Sequence, residues 1–285
     1  MKVFLTGASG ILGSDIAKIF RQSGHDIMPF DSGNIVLGDY TDVHNKMLSF
    51  EPDIVIHCAA MTNVDLCEDD HAAADLVNVT GTENIARAAD SIGARIVYIS
   101  SCGVYGSGKT SAFDEDDEPR PQTYHHYTKL MGEEKVKAMN DRYLIVRPGW
   151  LFGGTPGHKK NFVEARRKEA ERVPLLQSAM DKIGSPTYTA DLAAQLLIMI
   201  SGGLTGTFNV VNEGCASRFD YVSAIVSAFR LPAVIEPVNS GAFPRKANMP
   251  DNECLENKRL NKLGINHMRH WRDALSDYIT STYNS

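Results

Sequence analysis

The chain has 285 residues, 43% of them hydrophobic and 22% charged, and a formal net charge of −6. That balance fits a globular protein with one large α/β unit or two fused lobes, and gives no electrostatic reason for nucleic acid or an anionic membrane as partner. No apolar run reaches the roughly 18 residues of a bilayer span, and MKVFLTGASG lacks the apolar core of a signal peptide, so a cytoplasmic location is expected.

Taken in chain order, KVFLTG, HDIMPFD, PDIVIHCAA, RIVYISS and YLIVRPG are short apolar runs of strand length. Helix-like stretches such as ILGSDIAKIFRQSG and AADLVNVTGTENIARAADSIG separate them. Apolar strands without alternation are buried on both faces, which predicts a doubly wound parallel α/β sheet of Rossmann type over residues 1–150. After residue 150 the rhythm changes to helices, NFVEARRKEAERV, TADLAAQLLIMI, FDYVSAIVSAFR and RHWRDALSDYITSTY, with one late strand, GTFNVV. Residues 151–285 are therefore read mainly as a smaller substrate-binding lobe, with part of 181–212 returning to the Rossmann sheet. The acidic run DEDDE at 114–118 reads as a solvated loop.

TGASGILG puts Gly7, Gly10 and Gly13 between the first strand and the first helix. Gly7 permits a tight turn, Gly10 lets backbone approach a pyrophosphate, and Gly13 lets helix and strand pack closely; Ser9, Ile11 and Leu12 share the turn. Asp31, at the end of the second strand, is placed to accept hydrogen bonds from an adenosine ribose. Its carboxylate repels a 2′-phosphate, and neither Ser9 nor Ser32 offers a compensating charge, so NAD is expected as cofactor, with NADP the alternative. Asp39 and Tyr40 in GDYTD are read as lying beside the adenine. Ala59, Ala60 and Thr62 in IHCAAMT are small enough for a cofactor to lie over the strand ends.

Five cysteines, odd in number and without a C-x-x-C pair, give no disulfide framework. His57, Cys58, Cys67 and His71 make no convincing metal set, because adjacent residues of a strand face opposite ways. No metal is expected.

Nearly the whole chain resembles the extended short-chain dehydrogenase/reductase family, and within it the branch of the dTDP-4-dehydrorhamnose reductases. The resemblance is carried in order by TGASGILG, GDYTD, CAAMTNVDLCE, VNVTGTENIARAA, VYISSCGVYG, TKLMGEE, RPGWLFG, NFV and GSPTYTADLA. It implies a nicotinamide cofactor in the first lobe and a nucleotide sugar in the second. It also implies reduction of a 4-keto-6-deoxysugar carried on a nucleoside diphosphate, and a homodimer paired through the helix ending in ARAADSIG and the one bearing Lys129.

The resemblance assigns Ser101 as the catalytic hydroxyl and Lys129 as the catalytic lysine, which also holds the cofactor ribose. The tyrosine belonging four residues before the lysine is replaced by His125. Residues four apart share a helix face, whereas Tyr124 and Tyr127 should point away from Lys129; Tyr124 reaches in only if the helix begins after it. His126 is expected at the surface. Imidazole has an ordinary pKa near 6.5 and a neighbouring cation lowers it, so His125 is a compromised acid. A rate depending on its imidazolium would fall as pH rises through about 6 to 7. Substrate contacts are expected from Cys102, Tyr105, Trp150, Asn161 and Arg218. Cys102, Arg218, Met249 and Glu253 depart from the family's pattern, so the cofactor half is kept and the sugar half rewritten. Two alternatives remain at this stage: a catalytically impaired NAD(P)-binding module holding a sugar nucleotide or a partner protein, and a sugar-nucleotide epimerase or dehydratase.

Overall fold

The computed structural model describes residues 1–283. The first half runs β1 (Lys2–Thr6), α1 (Ile11–Gln22), β2 (Asp26–Phe30), α2 (Tyr40–Phe50), β3 (Ile54–His57), α3 (Val64–Asp69), α4 (His71–Asp75), a π turn (Leu76–Thr80), α5 (Gly81–Ser91), β4 (Arg95–Ile99), α6 (Tyr124–Met139) and β5 (Tyr143–Arg147). The second half runs β6 (Trp150–Phe152), α7 (Phe162–Ala170), β7 (Leu175–Ala179), β8 (Ile183–Gly184), β9 (Pro186–Tyr188), α8 (Thr189–Ser201) and β10 (Gly206–Asn209). It ends with β11 (Ala216–Ser217), α9 (Arg218–Ala228), β12 (Val234–Val238), β13 (Asn252–Glu253), α10 (Lys258–Leu263) and α11 (Trp271–Tyr283).

The main sheet has the order β10-β5-β4-β3-β1-β2, and all its pairings are parallel. The continuous apolar runs of β1, β3, β4 and β5 are explained by burial on both faces. On one side Leu12, Ile16 and Phe20 of α1 pack with Leu192, Leu196 and Met199 of α8. On the other, Met47 of α2, Ile85 of α5 and Val136 of α6 pack over Phe4, Val55 and Ile145. Order reverses between β1 and β3, and ligands of open α/β sheets bind at the carboxyl ends beside such a switch point.

The sheet's last strand comes from the second half: Gly206–Asn209 pairs with Leu144–Arg147 of β5. A buried ion pair anchors α6 to β5. Arg147 donates from Nε and Nη2 to the two carboxylate oxygens of Glu133 at 2.8 and 2.6 Å, and Ser100 Oγ donates to the same carboxylate at 2.6 Å. A separate aromatic core, including Trp150, Phe152, Tyr221, Trp271 and Tyr278, joins β6, α9 and α11.

Two expectations need correction. Cys215 and Cys254 form a disulfide, with Cα atoms 5.7 Å apart, although 39 residues separate them in sequence. The register gives the reason: Gly184 of β8 pairs with Ala216 of β11 and with Glu253 of β13, so the residue before one strand and the residue after the other both lie level with Ser185, where β8 has ended. The acidic run is only partly solvated. Glu115 is buried and accepts a hydrogen bond from the Asn209 backbone N–H at 3.0 Å, because β10 ends against that loop.

Candidate active site

A cleft of about 870 Å³ opens at the carboxyl ends of β1, β3, β4 and β5. One end is the glycine turn. A Cβ on Gly7 would stand 2.8 Å from the Ala59 backbone nitrogen, and one on Gly13 would stand 2.1 Å from the Gly7 carbonyl oxygen. Both turns are therefore closed to any larger residue. Gly10 precedes α1 in the cap position and gives it no side-chain cap, so its first N–H groups and positive dipole end remain available to an anion. Asp31 accepts hydrogen bonds from Ser9 N and Ser9 Oγ, both at 2.9 Å, which fixes its carboxylate beside the turn. Ser9, Ile11, Leu12, Ala59, Ala60 and Thr62 line the same end. This cradle fits a dinucleotide.

The middle of the cleft is made by the end of β4 and the first turn of α6. Ser101 lines it, its Oγ accepting from Gly103 N at 3.3 Å. The Thr123 side chain caps α6 by accepting from His126 N, so the helix starts at Tyr124 and residue 125 is already in phase with Lys129. Tyr124 turns away: its hydroxyl donates to Asp75 at 2.9 Å and its ring stacks on His71. Tyr127 is 44% exposed, and neither tyrosine lines the cleft.

His125 does line it, with 7% exposure. Its Nδ1 lies 2.9 Å from the Met61 carbonyl oxygen, which must be the acceptor, so the proton of the neutral ring is assigned to Nδ1 and Nε2 carries the lone pair. Burial, then His126 and Lys129, push its pKa down to about 3. The imidazolium considered from sequence is absent near neutrality, and a rate falling through pH 6 to 7 cannot be assigned to this ring. Lys129, one turn on, is 3% exposed, with Nζ 4.1 Å from the centre of the Tyr98 ring. Burial lowers its pKa to about 7.

The far end holds Cys102, Trp150, Arg218, Met249 and Glu253, and opens into an adjoining basin of about 410 Å³ that includes Lys182, Arg245 and Lys246. Glu253, 5% exposed, accepts from Trp150 Nε1 at 2.8 Å and from the Cys102 thiol at 3.7 Å. The Arg218 guanidinium lies 3.4 Å from the centre of the Trp150 ring.

Four expected contacts fall outside the cleft, each held by another task. Asp39 caps α2, accepting from Thr41 N at 2.8 Å, and the Tyr40 ring lies under the Arg87 guanidinium. Tyr105 is buried with its hydroxyl donating to Asn209, and Asn161 caps α7 while its amide donates to the Tyr278 hydroxyl. His126 is a further correction. It is 3% exposed, because the 102–105 turn and β13 cover that side of α6, and its Nε2 is 3.8 Å from Glu253. Its Nδ1 has no hydrogen-bond partner among the described residues. The sequence reading also missed His158, Lys159 and Lys160, which reach the cleft from the loop before α7; His158 Nε2 lies 3.1 Å from the Ser9 carbonyl. The basic run HKK after Gly153 and Gly154 was the available signal. Among the described residues, no cluster of three or more His, Cys, Asp or Glu is placed to hold a metal, and no helix is long and apolar enough to cross a membrane.

A family model described as RmlD substrate binding domain matches residues 1–284. The chain belongs to the RmlD family. The spore coat polysaccharide biosynthesis protein SpsK of Bacillus subtilis is 33% identical, with 98% of this chain and 96% of that protein covered. The crystal structure of a dTDP-4-dehydrorhamnose reductase from Clostridium acetobutylicum superposes with a TM-score of 0.95 at 34% identity, covering 99% of each chain. That of the dTDP-4-dehydrorhamnose reductase of Bacillus anthracis in complex with NADP gives 0.95 at 31% identity, again covering 99% of each. In this chain the glycine turn, the uncapped start of α1 and Asp31 are the residues that would hold a dinucleotide.

Proposed function

We propose that the chain is an NAD(P)-dependent reductase of a 4-keto-6-deoxysugar linked to a nucleoside diphosphate. The observation that carries this reading is one continuous cleft. It runs from a glycine cradle closed to any side chain, past Ser101 and Lys129, to a basin with Trp150, Arg218 and Glu253. The cofactor supplies hydride when bound in the first lobe. Ser101 donates a hydrogen bond to the substrate oxygen, which polarises the carbonyl. Lys129 holds the cofactor ribose. Trp150 with Arg218 stacked on its ring forms a wall of the sugar end, and Arg218 with Lys182 offers positive charge to the diphosphate.

Of the two nicotinamide cofactors, NAD remains our preference. The Asp31 carboxylate beside Ser9 disfavours a 2′-phosphate, although Lys159 in the same cleft works in the opposite direction. Mixing the chain with NADH or NADPH and a panel of nucleotide-linked 4-keto-6-deoxysugars should consume the reduced cofactor, faster with NADH. Tighter binding of NADPH would overturn the role given to Asp31. No turnover on any sugar despite cofactor binding would overturn the reductase reading in favour of a binding module. The locked imidazole of His125 is the observation favouring that second reading.

The reading also carries a cytoplasmic homodimer pairing through α5 and α6, supported by the exposed Tyr127 on α6. A light-scattering mass near the 31.3 kDa of one chain at micromolar concentration would rule the dimer out.

A further inference from the structure

Reduction of a ketone needs a proton as well as a hydride, and this cleft has no phenol to give it. Its protic groups are few. His158, Lys159 and Lys160 enter from the loop before α7, where the His158 ring meets the Ser9 carbonyl and Lys160 donates to Thr62 Oγ1, at the cofactor end. The Cys102 thiol is directed at Glu253, and burial pushes its pKa well up. His125 has its one ring proton committed to the Met61 carbonyl. His126 is buried against Glu253, with burial lowering its pKa. Arg218 is a guanidinium, which does not release a proton in proteins. Ser101 is an alcohol, able to share a proton but far too weak an acid to lose it unaided.

Lys129 differs from all of these in its surroundings. The groups facing it are His57 from β3 and Cys58 just after it, Tyr98 from β4, and His125 and Glu133 on its own helix. His57 is neutral: Thr6 Oγ1 lies 2.6 Å from its Nδ1 and Thr82 Oγ1 3.1 Å from its Nε2, and burial lowers its pKa to about 3. Cys58 is an uncharged thiol, pushed up to about 12 by burial. Glu133, one turn further along α6, is the only carboxylate in this set, and it is spent on Arg147 and Ser100. The ammonium therefore sits buried over a tyrosine ring without a counter-ion of its own, while lining the cleft beside Ser101 and His125. A desolvated, uncompensated lysine gives up a proton far more readily than an exposed one.

We propose that Lys129 delivers the proton to the substrate oxygen, and that His125 is a fixed wall of the site rather than its acid. The assignment rests on the reductase reading. A reduced nicotinamide, when bound, would supply the hydride, two electrons and one hydrogen, to the carbonyl carbon. As the C=O π pair moves to oxygen, Lys129 Nζ would give that oxygen its proton, leaving an alcohol and a neutral amine. Solvent at the open cleft then returns a proton to the amine. The lowered pKa of Lys129, about 7, suits this exchange near neutrality.

The test combines kinetics with a readout that needs no turnover. In full-length chain carrying lysine labelled with ¹³C at Cε, the resonance missing from Lys129→Arg should titrate near pH 7, well below the ordinary lysine value of about 10.4. In wild type, kcat at saturating NADH should fall as pH rises through that same midpoint, because the donor is lost on deprotonation. Lys129→Arg keeps the positive charge but holds its proton. It should lose about 10³-fold in kcat at saturating NADH. A Lys129 resonance titrating above about pH 9 would overturn the assignment, since that is the unperturbed range. So would an active wild type whose Lys129→Arg variant keeps its kcat and pH profile. Wild type that turns over none of the sugars overturns the reductase reading, and this assignment falls with it.

Discussion

A tyrosine at position 125 is expected to raise turnover by about 10²-fold, the usual contribution of a well-placed general acid. Residue 125 lies within α6, whose cap at Thr123 fixes the phase, so the new side chain would leave from the same face as Lys129. The native ring is neutral, buried and tied to the Met61 carbonyl. A phenol is longer than an imidazole, and the cleft in front of it is open. Its oxygen would stand near the Lys129 ammonium, whose charge favours phenolate and so makes the hydroxyl a better donor. The high-pH limb of the rate should also move up, because a phenol loses its proton later than this lysine does. Steady-state rates of His125→Tyr across about pH 6 to 9, with NADH affinity as the control for an intact cradle, decide the matter. A variant that folds and binds NADH yet is slower than wild type throughout that range would show that position 125 is not within reach of the reacting oxygen.

The second large effect is expected in acid. His57 and His125 are both buried and neutral, with folded-state pKa values of about 3. In the unfolded chain each would titrate near 6.5. Between those values the unfolded state binds more protons than the folded one, so these two rings make stability fall as pH falls from about 6.5 towards about 3 and contribute no pH dependence above 6.5. Two such residues remove on the order of 10 kcal/mol by the bottom of that window, comparable with the whole stability of a typical domain. Paired carboxylates act lower: Glu164, held to about 2 chiefly by Arg167, loses its contribution only as pH drops through that value. The fold should therefore fail before most of its surface ion pairs are protonated. Thermal melts from pH 7 down to 4 should show a steady decline, and replacing both histidines by asparagine should flatten it. A melting temperature constant over that range would sink the argument.

How much of this was legible from sequence depended on whether a residue's task is local. The glycine turn was readable because TGASGILG is a local device: the atoms that forbid a Cβ on Gly13 belong to Gly7 and Ala8 of the same turn, and only those on Gly7 come from elsewhere, the Cys58–Ala59 backbone just after β3. The facing of His125, Tyr124 and Tyr127 was readable too, because 100° per residue settles it once the helix start is known. Asp39 has a local task that the motif reading passed over: an aspartate just before a helix is first of all a cap, and it caps α2. Tyr105 and Asn161 were lost because their hydrogen-bond partners, Asn209 and Tyr278, lie more than a hundred residues away. The same distance hid the setting of His126, which looks like a helix-surface residue until β13 arrives with Glu253. The alternation of strands and helices predicted the layered sheet, but no local pattern announces that residues before β11 and after β13 meet.

The pairing of β10 with β5 bears on how the chain is made. Until residues 206–209 have left the ribosome, the strand from Tyr143 to Arg147 is an open sheet edge with unsatisfied backbone groups, and such edges recruit strands from other chains. At roughly 5–20 residues per second, that edge waits about 3 to 12 s for its partner. Shortening the chain after β5 would make the wait permanent. The lobe that carries the glycine cradle is thus unsuited to life as an independent fragment, and gene fusions or truncations that cut between β5 and β10 should give aggregates instead of a smaller nucleotide-binding protein.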